Sequence, residues 1–335
     1  MHLPSLRELT PHVAIWAVVT ALYTFGALDF LEFRMSDLRS RLTPRAAAGE
    51  LVIVAIDAES IAEVGTWPWP QSLHARAIER LSDAGARQIA LDIDFSSSST
   101  PSEDAELAAV FKRVKPAPIV PVFKQFSRSI GGLSSIIETG PIEEIAQAAR
   151  LASINVRPES DGLVRRLHYS DIWQGQHVPS FAAALVTPGR FLEGTFYIDF
   201  GIDVSSIPVV SFADLLAGRF DKRRIRGKTV LIGSTAIELG DQIAVPIHKA
   251  LPGVLVEALA YEAIVQGRAL KRSGIVPIAI IALLMALLLG PWLVRGWSAW
   301  IGAAAPSPQP LQCSAFVWWR SPCKSNFRCL SIPHP

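Results

Sequence analysis

Twenty consecutive residues, Ile275–Val294 (IVPIAIIALLMALLLGPWLV), carry no charge. Lys271 and Arg272 precede them and Arg295 closes them. A helix rises ~1.5 Å per residue, so ~20 residues cross the ~30 Å of hydrocarbon in a bilayer. An uncharged run of this length reads as a membrane crossing rather than a core helix. Pro277 falls in its first turn, where a missing N–H costs little. A second apolar run, Val13–Leu28, lies between His12 and Asp29, and Phe30, Leu31 and Phe33 extend it. No small-x-small cleavage site follows, so residues 12–33 read as an uncleaved transmembrane helix rather than a signal peptide. The chain is 50% hydrophobic with a mean hydropathy of +0.31, an excess that two such segments explain.

Orientation is not fixed by charge. Arg34, Arg39, Arg41 and Arg45 follow the first segment, and only Arg7 precedes it. The positive-inside rule would put the following residues in the cytoplasm, yet long domains translocate largely regardless of flanking charge. The net charge of +2 predicts no large basic surface, so nucleic acid is not an expected partner.

Between the segments lies a domain of residues 34–272, in which residues 50–270 alternate strand-like and helix-like stretches. Glu50–Asp57 (ELVIVAID), Gln88–Phe95 (QIALDIDF), Ile119–Phe123, Thr195–Phe200 and Thr229–Ser234 (TVLIGS) read as buried strands. Gln71–Ala84 places Leu73, Ala77, Ile78 and Leu81 on one helical face, and Gly85 ends it. Asp104–Val114, Ile142–Ala149, Ser180–Val186, Phe212–Ala217 and the almost wholly apolar Val254–Gln266 read as further helices. Leu151–Val156 and Leu163–Trp173 predict a hairpin around Glu159-Ser160-Asp161-Gly162. This order implies an α/β domain with a mixed sheet covered by helices, flanked by two transmembrane helices.

Several motifs carry alternatives. Trp67-Pro68-Trp69-Pro70 is either a ligand lid or a packed loop that starts the next helix. Asp57 and Ser60 lie where the first strand ends, and Asp92 and Asp94 where the second ends. The carboxyl ends of strands form the ligand crevice of open α/β sheets, so these acids could meet a cation or an amine. Alternatively, Asp57 caps the following helix and one of Asp92 and Asp94 bonds the loop. Asp161-Gly162 with Arg165 and Arg166 reads as a turn with one arginine pairing Asp161. IALDIDFS also resembles the D-x-D loop of haloacid-dehalogenase-type phosphatases, with Asp92 as nucleophile and Asp94 as acid/base. That fold needs a later lysine and a magnesium-holding acidic pair; Lys228 precedes a strand, and no Asp-Asp or Gly-Asp-x-x-x-Asp follows it. Gly227-Lys228-Thr229 lacks the glycine and the helix of a phosphate-binding loop. No His/Cys cluster has metal-ligand spacing, so neither a metal nor another cofactor is expected.

VIVAIDAESIAEVGTWPWPQSLHARAIERLSDAGARQIALDIDFS, SINVRPESDGLVRRLHY, GKTVLIGSTAIELGDQIAVPI and LPGVLVEALAYEAIVQGRAL, in this order, resemble the cyclase- and histidine-kinase-associated sensory extracellular domain, type two. The resemblance runs from about residue 30 to 272. It implies a bacterial inner-membrane receptor with a cytoplasmic amino terminus and a periplasmic or extracellular sensory domain. The implied outputs are a nucleotide cyclase, a diguanylate cyclase or phosphodiesterase, or a protein kinase. Ligands in that family are generally undefined. The candidate ligand residues are Asp57, Ser60, Trp67, Trp69, Asp92 and Asp94, with Ser234 and Asp241 from the IGSTA…GD stretch. No catalytic residue is expected in a sensor. Expected partners are an unidentified extracytoplasmic ligand, membrane lipid, and a second copy or a full-length receptor paralogue. A purely structural dimerisation module is the other alternative.

The carboxyl end departs from the pattern. From Pro306 onward the chain holds six prolines, every cysteine (Cys313, Cys323, Cys329) and no acid. Residues 300–335 read as an aberrant, frameshifted or disordered tail in place of an output domain, or as a real short basic tail. The nucleotide sequence beyond codon 300 would separate these readings.

Overall fold

The computed structural model describes residues 6–128, 134–186, 192–272 and 274–288. Residues 300–335, with all three cysteines, and the last part of the apolar run 275–294 lie outside them. The described residues divide into two compact units, residues 6–19 with 279–288, and residues 20–278.

The larger unit is built on parallel strands that are apolar from end to end, because helices cover both faces of the sheet. Strand β1 (Leu51–Ile56) is buried at all six positions. Leu51, Ile53 and Ala55 point to one face, and Val52, Val54 and Ile56 to the other. After β1 come α3 (Ala58–Val64), α4 (Gln71–Asp83), β2 (Gln88–Asp92), α5 (Pro101–Arg113), β3 (Ile119–Arg128), β4 (Ser134–Thr139), α6 (Glu143–Ala146) and β5 (Arg150–Ser153). Next are β6 (Arg166–His168), β7 (Ser170–Trp173), β8 (Gln176–Pro179), α7 (Phe181–Val186), β9 (Thr195–Tyr197), β10 (Val209–Ser211) and α8 (Phe212–Ala217). The unit closes with β11 (Thr229–Ser234), the hairpin β12 (Gln242–Val245) and β13 (Lys249–Pro252), and α9 (Gly253–Val265).

The main sheet runs β10-β1-β11-β2-β3, with β5 beside β3, all parallel. β4 pairs antiparallel with the far half of β3, so the sheet is mixed, as expected from sequence. Helices α4, α5 and α8 cover one face. Helices α7 and α9 cover the other. Gly233 allows α9 its close approach: a Cβ there would lie 2.7 Å from Val254 Cβ and 3.2 Å from Asp92 Cβ.

The expected hairpin of Leu151–Val156 with Leu163–Trp173 does not form. β5 instead joins β3 in parallel, which buries Ala152 in the core. Glu159–Gly162 does turn the chain, with the Glu159 amide bonding Leu163 carbonyl and the Gly162 amide bonding Glu159 carbonyl (both 2.9 Å). Val164 then bonds Ala244 in β12, β6 pairs with β9, and β7 pairs with β8. That last hairpin turns on Gln174 and Gly175, both at positive φ (46° and 73°), as a two-residue hairpin turn demands.

The first apolar run is also divided. One helix, α1, spans Leu6–Thr24, and a second, α2, spans Asp29–Leu42, bent by 74° from the His12–Thr24 part of the first. Phe30, Leu31 and Phe33 therefore lie on the second helix, whose mean hydropathy is low because it carries Arg34, Arg39 and Arg41. Among the described residues no single helix is long and apolar enough to cross a membrane. A shorter apolar helix covers Ile275–Leu288. In the smaller unit the Trp16 indole N–H donates to the Ala279 carbonyl at 2.8 Å.

The helix Asp29–Leu42 is held by charge as well as by apolar contact. Arg165, 3% exposed, donates two bonds to the Asp37 carboxylate (3.0 and 3.1 Å) and one to Asp161 (3.0 Å). Its guanidinium lies 4.5 Å from the Phe33 ring centroid. Arg272 pairs with Asp29 (2.6 Å) and Glu32 (3.0 Å). The adjacent Arg166 pairs with Glu159. The expected Asp161–arginine pair is thus present, and it forms one side of a larger clamp.

Candidate functional site

The eight residues singled out by sequence separate into different neighbourhoods along the carboxyl edge of the sheet. Asp57 and Ser60 form a helix cap. Asp57 Oδ1 accepts from the Ser60 amide (2.8 Å), the Ser60 hydroxyl (2.6 Å) and the Ser211 hydroxyl (3.1 Å). Ser60 Oγ in turn accepts from the Ala213 amide (3.1 Å), tying α3 to the start of α8. The capping alternative describes this pair.

Asp92 faces α9, on the opposite side of the sheet from Asp94. It accepts no hydrogen bond among the described residues. Burial, with Asp241 adding to it, pushes its pKa up to about 7. Glu257, 4% exposed in α9, is pushed up to about 8 by burial first and by Asp92 next. Its carboxyl accepts from the Ala182 amide at 3.2 Å. Asp241, raised by burial, accepts from the Gly253 amide (3.1 Å) at the start of α9. Near neutral pH Glu257 therefore keeps its proton for the most part and Asp92 about half the time. Sequence reading had missed Glu257, a lone acid inside an otherwise apolar turn. Among the described residues no three His, Cys, Asp or Glu are arranged to hold a metal ion. Ser234 is half-buried, its hydroxyl 3.5 Å from the Ala236 carbonyl.

Trp67, Trp69 and Asp94 come together in a cleft. β2 ends at Asp92, and the following loop carries Asp94 to the α4 side. There a cavity of about 310 Å³ opens between the Trp67–Pro70 loop, the first turns of α4 and the loop Ile93–Ser99. Both alternatives for the tryptophan motif hold a part. Trp69 is packed: it is 6% exposed, its indole N–H donates to Gly65 carbonyl (2.8 Å), and it stacks on Phe212 (5.0 Å). Trp67 is half-buried, meets Trp69 edge-on at 5.2 Å, and walls the cavity. Asp94 Oδ1 accepts from the Ser96 amide (2.8 Å), while the side chain stays exposed.

The floor of the cleft is Gln71 and His74. Positions 71, 74, 75 and 78 share one helical face, and Gln71, His74, Ala75 and Ile78 are all buried. Gln71 Oε1 and His74 Nδ1 are shut off from solvent with no hydrogen-bond partner. An unmet buried polar atom costs about 1–3 kcal/mol, so these two side chains are held here at a cost to stability. Burial pushes the His74 pKa down to about 4, so its ring is neutral at pH 7. These two residues were not singled out by sequence. The signal available was two polar residues at helical spacing on the apolar face.

Asp92 and Asp94 thus serve different surroundings, and the D-x-D phosphatase geometry, which needs both on one substrate, is not assembled. A recessed, aromatic-walled cavity at the carboxyl edge of a helix-covered sheet has the anatomy of a ligand-binding module. The CHASE2 domain family matches residues 13–294, most of the chain, and the protein belongs to that family. CHASE2 is an extracellular sensory domain family of signalling receptors. No curated protein and no solved structure matches.

Proposed function

We propose that this chain is the extracytoplasmic sensory input of a bacterial transmembrane receptor, with the tryptophan cleft as its input site. The observation that carries the reading is the cleft itself: a cavity of about 310 Å³ walled by Trp67, with Asp94 and Glu103 at its rim. The family match, which includes the apolar runs on both sides of the domain, supports the membrane context. In this reading the amino terminus is cytoplasmic, the runs starting near residues 12 and 275 cross the inner membrane, and the domain between them lies outside. Arg34, Arg39 and Arg41 then sit on the helix Asp29–Leu42, which pairs charges with the domain, so they do not act as a cytoplasmic positive flank. The second crossing would address an output of nucleotide-cyclase, diguanylate-cyclase or phosphodiesterase, or protein-kinase type. A second copy or a full-length paralogue is the proposed protein partner.

A topology reporter tests the reading. A phosphatase reporter, active only outside the cytoplasm, fused after Arg150 is expected to be active, and a fluorescent reporter that folds only in the cytoplasm is expected to be dark there. The reverse pattern sinks the sensory reading.

A further inference from the structure

The cleft has a charge pattern that selects among ligand chemistries. Asp94 and Glu103 stand at its rim, and no lysine or arginine lines it. Neither carboxylate is in an ion pair among the described residues. Asp94 has one oxygen on the Ser96 amide. Glu103 accepts from Ser99 Oγ (2.6 Å) and Ser72 Oγ (3.4 Å), neutral donors that leave its charge uncompensated. The floor, Gln71 and His74, carries no charge at pH 7, since burial keeps the imidazole neutral. The Trp67 wall presents an indole, the aromatic ring best suited to hold a cation.

We infer that the cleft takes a small organic ammonium compound, its cationic nitrogen donating to the Asp94 and Glu103 carboxylates, its apolar body against Trp67. An anion would meet two carboxylates and no cation. A purely apolar ligand would desolvate the two rim carboxylates without pairing them. The volume, near the lower end of the ~300–1,000 Å³ typical of ligand pockets, sets a small size. The inference rests on the sensory reading for its biological role, since occupancy carries a message only in a sensor. Binding itself is measured separately.

Phenethylamine is titrated into the full chain in detergent micelles, followed by tryptophan fluorescence and thermal shift. Phenethyl alcohol and hydrocinnamate carry a similar ring with a neutral and an anionic head. The amine is expected to bind saturably at about millimolar concentration or below, and the alcohol about tenfold more weakly. Hydrocinnamate is expected not to bind. Asp94→Asn combined with Glu103→Gln is expected to weaken the amine about tenfold and leave the alcohol unchanged. Both residues lie at the rim, so an unchanged melting midpoint certifies the fold of that variant, and the single variant Asp94→Asn, at an exposed residue, serves as the second probe if it does not. No saturable amine response, equal binding of amine and alcohol, preference for hydrocinnamate, or indifference to the rim variants would overturn the inference. If the amine fails while the reporter still places residue 150 outside, the ligand class is lost and the sensory reading stands. If the amine binds but the reporter places the domain in the cytoplasm, the cleft stands and the sensory reading is lost.

Discussion

Replacing Arg165 by alanine is expected to cost the folded protein about 3–5 kcal/mol, because it strands the Asp37 carboxylate without its partner. Arg165 is 3% exposed, grips Asp37 with both arms of its guanidinium, and lies over Phe33. Phe33 and Asp37 are one turn apart on the helix Asp29–Leu42, so a single side chain fixes both the apolar and the charged contact of that helix. The bond from Arg165 also holds the Asp161 carboxyl below the usual carboxylate range. Lysine should recover little, since a point charge cannot make the forked pair. The double variant Arg165→Met with Asp37→Asn should recover much of the loss, because no charge is then left buried alone. Thermal unfolding of the full chain in detergent measures this, with a fall of roughly 10 °C for the single variant. A loss under about 1 kcal/mol would mean that the helix is not held at this clamp.

Stability should fall as pH rises through neutrality, and Asp92 and Glu257 should account for the fall. Both carboxyls are raised in the folded state, to about 7 and about 8, above their ordinary values near 4. A raised pKa means that the native state binds more protons than the unfolded chain. The contribution is therefore fully present below the unfolded pKa and is lost as pH rises through about 7 and then about 8. With ~1.4 kcal/mol attached to each tenfold change in proton affinity, the drop between about pH 6 and about pH 9 is expected to be roughly 4 kcal/mol. That window avoids His74, whose depressed pKa of about 4 makes stability fall in the opposite direction, as pH drops below its ordinary 6.5. Asp92→Asn with Glu257→Gln should flatten the profile and raise the midpoint at alkaline pH. A parallel slope in wild type and variant would show that neither acid is raised.

The parts of the fold legible in sequence were those where burial writes itself along the chain. β1 and β11 are apolar throughout, α4 has a helical apolar face, and α8 and β11 fall on the residues expected. What sequence hid was pairing. Leu151 and Leu163 both begin strand-like runs, but nothing local says that the first run joins β3 in parallel. β4 (SSIIET) and β8 (QHVP) are short, polar and peripheral, so no burial pattern announces them. The Gln174-Gly175 turn lacks the Asn or Asp that usually marks such hairpins. Val13–Phe33 looked continuous because apolarity alone does not report a break at Phe25–Leu28. At the site, the tryptophans and Asp94 were legible because Trp-Pro repeats and strand-end acids are conspicuous. Gln71, His74 and Glu257 were not, since a polar residue's burial depends on which helical face meets the sheet.

The most direct measurement uses the intact chain. With Cys313, Cys323 and Cys329 replaced by serine, Ser98→Cys gives one thiol, on the exposed rim of the cleft. A membrane-impermeant maleimide is added to intact spheroplasts and, separately, to lysed ones. An extracytoplasmic input site predicts equal labelling before and after lysis. Labelling that appears only after lysis would put the cleft in the cytoplasm and contradict the account.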